Sequence, residues 1–243
     1  MTLPTPSPDH VLVWVVALDT VHTDEWPRLA ALLDPAEQAR GARYIFDLHR
    51  RQHVAAHALK RLLLSTLVAR PPEAWRFDVA PGGKPQVAGG GGPGFSLSHC
   101  DGLVACAAGL RGSIGVDVEP RAREAPLELA PMLLSSEERA RLSSMPAEQR
   151  NTAFLQLWTL KEAFAKATGR GLARCLSDVS FRLDPVKASF LHPWPGPVGN
   201  WQFVHRTVAR DYLLSLACFA GVHPPSVAIR EVDFEELLSR IPR

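Results

Sequence analysis

Two long stretches of helical periodicity, each set among short strand-like pieces, restrict this chain more than any other feature. From Arg50 to Val68 the apolar residues Val54, Ala58, Leu62 and Leu63 recur at helical spacing, with Arg51, His57 and Arg61 largely on other faces. From about Ala147 to Thr168 a second helix runs to Gly169, a residue suited to the left-handed conformation that ends helices. Around the first lie a β-branched strand from Val11 to Leu18 and strands at Phe95 to Ser98, Leu103 to Ala108 and Ile114 to Glu119. Around the second lie strands near Val179, Phe203 and Leu214, then a last strand near Val227 and a short C-terminal helix. Shorter helical segments open at Asp34-Pro35 and near Ser136. Strands gathered about one helix in each half favour two α+β units over an alternating doubly wound sheet. The proline-bearing stretch 120–126 breaks the regularity, and the expected division is 1–112 and 113–243, with the strand from Ile114 in the second unit.

Composition narrows the function. The 243 residues are 46 % hydrophobic, enough for a buried core, and the net charge of +2 is too small for a general polyanion binder, so nucleic acid is not indicated. The four cysteines show no C-x-x-C spacing and read as buried thiols. No basic-then-apolar leader opens the sequence, and no apolar run reaches about 20 residues, so a soluble, cytoplasmic protein without a membrane segment is expected. Of the 27 cationic residues, 22 are arginine; the lysines are Lys60, Lys84, Lys161, Lys166 and Lys187. A lysine kept against that background points to a need for a compact ammonium.

Four constellations could carry chemistry. In Gly115-Val116-Asp117-Val118-Glu119, strand alternation puts both carboxylates on one face, a hard-oxygen pair suited to Mg²⁺. In Trp158-Thr159-Leu160-Lys161-Glu162 with Lys166, helical geometry aligns Trp158, Glu162 and Lys166 and sets Lys161 about 100° from Glu162. Gly83-Lys84-Pro85 and Phe95-Ser96-Leu97-Ser98-His99 place a lysine, a hydroxyl and an imidazole at a turn and a strand end, where they could grip phosphate. The arginines Arg40, Arg43, Arg50 and Arg51 could hold a terminal phosphate through bidentate bonds. Taken singly, each also has an ordinary structural explanation: a solvated acid pair, a helix-face ion pair, an exposed turn, a charged helix face.

Together and in this order, the motifs resemble the phosphopantetheinyl transferases of the surfactin-synthetase type. Leu133-Leu134-Ser135-Ser136-Glu137-Glu138, Gly169-Arg170-Gly171-Leu172 and the arginine-bearing helices before Leu64 add to the likeness, which spans roughly Asp34 to Leu183. Ser96 stands where the family often has asparagine, a side chain that orients the loop.

The resemblance implies a monomer of two similar α+β subdomains related by a pseudo-twofold axis, each a small mainly antiparallel sheet packed on a long helix. Coenzyme A and Mg²⁺ would lie in the cleft between them. Asp117, Glu119 and Glu162 would hold the metal, with Asp117, Glu162 and Lys166 as the catalytic set. Glu162 or a metal-held water would take the proton of a carrier serine, and Lys166, with Lys161 nearby, would stabilise the departing 3′,5′-ADP. Lys84, Ser98 and His99, with Pro85 beside Lys84 and Arg43 and Arg51 from the amino-terminal helices, would hold the 3′-phosphate and adenosine end. The partner would be an acyl carrier protein or a peptidyl or polyketide carrier domain, received in part by Met132, Leu133 and Leu134. Two rivals stay open on the residues alone: a magnesium-dependent hydrolase of the coenzyme A pyrophosphate, and a non-catalytic carrier-binding module.

Overall fold

The computed structural model describes residues 9–176, 178–191, 200–219, 221 and 225–239. It is a mixed α+β structure. The chain runs β1 (His10–Ala17), α1 (Glu25–Ala31), α2 (Pro35–Gly41), α3 (Asp47–Leu67), β2 (Phe77–Val79), β3 (Pro85–Val87), β4 (Gly94–Cys100), β5 (Leu103–Gly109) and β6 (Ser113–Pro120). It continues through α4 (Ala130–Leu133), α5 (Ser136–Ser144), α6 (Ala147–Thr168), α7 (Leu172–Cys175), β7 (Val179–Arg182), β8 (Lys187–Phe190), β9 (Trp201–Val208), β10 (Tyr212–Phe219), β11 (Ser226–Glu231) and α8 (Phe234–Ser239).

Two sheets form the body. One has the order β11-β1-β5-β4, the other β6-β10-β9, and small hairpins β2-β3 and β7-β8 complete the strands. Helix α3 packs on the first sheet through Ala55, Leu59, Leu62 and Leu63 against Leu12, Trp14, Val104 and Cys106. Helix α6 covers the second sheet through Phe154, Leu160, Ala163 and Phe164 against Leu213 and Ala217. The remaining faces of the two sheets meet in a third core of Val11, Val13, Val15, Ala105, Ala107, Val116, Val118, Leu214 and Leu216. β1 is therefore buried on both faces, which is why its sequence reads as an unbroken apolar run.

Local signals set the helix ends. Asp34 and Glu37 form a capping box at α2, with Pro35 in the first turn, and Ser135 and Glu138 form another at α5. Gly169, at φ 66°, closes α6 in the left-handed conformation. All four cysteines are free thiols.

The strand near Val227 pairs with the first strand of the chain: β11 lies parallel to β1, with His10 opposite Ser226 and Val15 opposite Glu231, so it joins the first sheet. A parallel partner must arrive by a long crossover, and strand spacing alone does not reveal which sheet it joins. The charge on α3 is divided between solvent, where Arg50 and Arg51 lie, and the interior. Arg61 is buried, donating to Asp34 and Glu37 and to the carbonyls of Pro72 and Trp75, and Lys60 is buried against Glu37. The capped α2 presents Glu37 to α3, which turns the outward side of the helix into an internal ion-pair network.

Candidate active site

Strand β6 and helix α6 build the site. Asp117 and Glu119 face α6, as the alternation of β6 requires, while Ile114, Val116 and Val118 enter the core between the sheets. The helix sits unusually close because Gly115 carries no side chain: a Cβ there would collide with the carbonyl oxygen of Ala163 and the amide nitrogen of Ala167. Thr159 fixes the helix further along by a buried hydroxyl contact of 2.8 Å with Ser215, the β10 neighbour of Asp117.

This seating brings Lys166 to Asp117. Its ammonium lies 2.7 Å from Asp117 Oδ1 and 3.0 Å from Ser98 Oγ, and Ser98 donates to the same carboxylate oxygen at 2.8 Å. The other oxygen, Asp117 Oδ2, is buried without a hydrogen-bond partner among the described residues. Glu162 stands one turn before Lys166, and burial and the Asp117 charge push its carboxyl pKa up. Burial likewise pushes Glu119 up against the opposing charge of Arg123, and Asp117 adds to the rise. Glu119 is held by an ion pair to Arg123 and a hydrogen bond from Trp158. The carboxylates crowd one another but do not close into a cage: among the described residues no group of three or more potential metal ligands converges.

A cleft of about 280 Å³ opens beside them, lined by Gly82 to Pro85, Phe95 to Leu97, Glu162, Lys166, Gly169 and Leu172 among others. Lys84 reaches it from the turn before β3, and Pro85 from the first position of that strand. His99 is exposed at the end of β4 and lies within electrostatic reach of Lys166, His53 and His49. Arg43, in the turn between α2 and α3, and Arg51, on α3, are exposed and do not line this cleft; Arg51 pairs with Asp47 at 2.6 Å and lies over the ring of Trp26.

Lys161 does not join the cleft. Its side chain is enclosed in the second core, 3.0 Å from Glu138 and donating to the carbonyls of Leu176 and Val179. The rotation of about 100° per residue on α6 puts it beneath the helix, and Glu138, placed there by its capping box, takes the charge. The carboxylate of Glu162 is therefore flanked by one ammonium, not two. Leu133 and Leu134 are likewise core residues, while Met132 is 66 % exposed. Sequence reasoning gave no place to Glu138 as a buried partner, although its position at N3 of a capping box marked it as an ordered carboxylate.

Comparison with known proteins shows the family. The family model of the 4′-phosphopantetheinyl transferase superfamily matches residues 113–217. The 4′-phosphopantetheinyl transferase HetI of a Nostoc species is 34 % identical over 191 residues, covering 77 % of this chain and 80 % of that protein. A 4′-phosphopantetheinyl transferase of Bacillus subtilis is 30 % identical over 73 % of this chain and 79 % of its own length, and one of Bacillus pumilus is 32 % identical over 60 % and 62 %. The chain belongs to the 4′-phosphopantetheinyl transferase superfamily. It is an enzyme, a transferase of that class.

No helix among the described residues is long and apolar enough to cross a membrane.

Proposed function

We propose that this chain transfers 4′-phosphopantetheine from coenzyme A to a serine of an acyl or peptidyl carrier protein, releasing 3′,5′-ADP, as a Mg²⁺-dependent monomer of the surfactin-synthetase type. The observation that carries the reading is the pairing of Asp117 with Lys166 beside the cleft, with Asp117 Oδ2 buried and without a hydrogen-bond partner among the described residues. A buried carboxylate oxygen without a donor is costly, and burial first, with the Asp117 charge adding to it, pushes up the pKa of the two neighbouring carboxyls. Hard oxygen donors in that state fit Mg²⁺, which takes one or two protein carboxylates and leaves its other positions to water and phosphate. Asp117, Glu119 and Glu162 would hold it. Bound there, Mg²⁺ supplies charge neutralisation at the pyrophosphate.

The chain's own groups do the rest. The serine oxygen forms the new bond to phosphorus, and the bond between phosphorus and the bridging oxygen of 3′,5′-ADP breaks. Glu162, with its raised pKa and cleft position, accepts the serine proton. Lys166 donates to the departing phosphate oxygen, for which its half-exposed ammonium need only leave Asp117. His99, with Arg43 and Arg51, is assigned the 3′-phosphate end. Met132 and Leu191, exposed on the groove beside α7, offer an apolar patch to the carrier, with Arg121, Arg123, Arg139 and Arg141 nearby in sequence to attract acidic surface. The packing of α3 on one sheet and α6 on the other supports a pseudo-twofold relation between the halves.

Intact-mass analysis of a purified apo carrier incubated with this protein, coenzyme A and Mg²⁺ tests the reading. A mass gain equal to phosphopantetheine on the carrier is the expected result. Free phosphopantetheine released without carrier would instead identify a hydrolase of the same pyrophosphate.

A further inference from the structure

The outward edge of β6 is stitched to the first half of the chain by side chains. β6 pairs with β10 on one side only, leaving the carbonyl of Ile114 and the amides of Val116 and Val118 on the other. Lys84 donates to the Ile114 carbonyl at 2.9 Å, Ser96 Oγ accepts from the Val116 amide at 3.1 Å, and Ser98 Oγ accepts from the Val118 amide at 3.3 Å. Backbone groups at a covered sheet edge need such partners, since each one left dry is costly. These three residues belong to the motifs that the sequence offers as a phosphate grip.

Lys84 is committed twice over. Besides Ile114, it donates at 2.9 Å to the carbonyl of Ala167, one of the last carbonyls of α6, which have no partner within the helix. A cation at that end also complements the helix dipole. The turn that carries it lies hard against the helix end, because a Cβ on Gly82 would collide with the carbonyl oxygen of Gly169. Ser98 is saturated as well: a hydroxyl has one proton to give and two acceptor positions, and Asp117 takes the first while Lys166 and the Val118 amide fill the others.

We propose that Lys84 is a positioning residue that clamps the start of β6 to the end of α6, and that it does not bind the phosphate of coenzyme A. Ala167 directly follows Lys166, and Ile114 lies three residues before Asp117, so the clamp holds those two paired groups in register beside the cleft. The inference rests on the transferase reading and adds to it which residues are structural in the motif that looks most like a phosphate site.

The test compares binding of coenzyme A and 3′-dephospho-coenzyme A by calorimetry, and turnover with an apo carrier, in the wild type, Lys84→Met and Lys84→Gln. Methionine keeps the stem without the donors; glutamine restores two N–H donors without charge, on a side chain one bond shorter. The clamp predicts that Lys84→Met keeps the wild-type ratio of the two affinities within about twofold while kcat falls at least about tenfold at saturating substrates. Lys84→Gln should recover part of that kcat, which lost charge alone could not explain. An affinity ratio that collapses toward one in Lys84→Met, or an unchanged kcat, overturns the proposal. Absence of carrier modification by the wild type would instead defeat the transferase reading, and the affinity ratio would still judge Lys84.

Discussion

Gly115 lies directly beneath Ala163, so close that the smallest side chain at Gly115 would strike helix backbone rather than a movable group. Gly115→Ala must therefore push α6 away from β6 or distort both, and overpacking of this kind costs about 1–3 kcal/mol. Because Lys166 and Glu162 ride on that helix, turnover should fall further than stability alone explains. Urea denaturation paired with kinetics on the folded fraction checks it; a variant with wild-type kcat would show that the site tolerates movement of the helix.

Asp117→Ala and Glu162→Ala should each lower kcat by at least about 100-fold, the scale of several kcal/mol of charge stabilisation at a transferring phosphoryl group. Both variants should retain the wild-type circular dichroism spectrum, since neither side chain belongs to a hydrophobic core. Excess chelator should silence the wild type in the same assay. Undiminished turnover in chelator would remove Mg²⁺ from the mechanism.

The two lysines of the 158–166 segment should fail in different ways. Lys161→Ala strands the buried Glu138 carboxylate, and breaking a buried pair from one side costs about 3–5 kcal/mol, so the loss should appear in the denaturation midpoint. Lys166→Arg should fold normally and lose about tenfold or more in kcat, because a planar guanidinium cannot take the compact position between Asp117 and Ser98. Lys187→Arg, at an exposed strand end, serves as the control. A kinetic defect in Lys161→Ala with unchanged stability would return that residue to the cleft.

Much of this was readable beforehand, and the exceptions share a cause. The alternation of β6 places Asp117 and Glu119 on one face, and the 3.6-residue period of α6 aligns Glu162 with Lys166, because both facts are local to one element. The fate of Lys161 and Arg61 is not local: each is buried only because a capped helix elsewhere delivers Glu138 or Glu37 to it. Lys84 is a similar case, since its partners are backbone carbonyls, which leave no trace in side-chain patterns. The crossover of β11 to β1 depends on the twist and closure of whole sheets, beyond what strand spacing conveys.

Acid should destabilise the protein through the Glu37 network. Burial outweighs the neighbouring carboxylate at His57 and lowers its pKa to about 4, so the folded state holds the imidazole neutral while the unfolded chain protonates near pH 6.5. For Glu37 burial acts to raise the pKa, but the His57 hydrogen bond and the Lys60 charge prevail and hold it well below the usual carboxylate range. Both signs agree: the unfolded state binds more protons, so stability is full near neutrality and falls as pH drops, first through His57 below about 6.5, then through Glu37 below about 4.5. Between pH 7 and pH 5 the His57 part amounts to on the order of 2 kcal/mol. Thermal melts across that range should show it, and His57→Gln, which keeps a donor without titrating, should flatten the upper part of the curve.

The parallel seat of β11 beside β1 also has a consequence for how the chain is made. Residues 10–17 leave the ribosome more than two hundred residues before 226–231, yet the two segments are neighbours in one sheet. Until the second segment emerges, β1 presents an open edge to solvent or to another nascent chain, and the closing contact bridges more than two hundred residues. Such a non-local contact is slow to form. A break between the halves, or early termination before Ser226, would thus yield an incomplete first sheet instead of a free-standing amino-terminal domain.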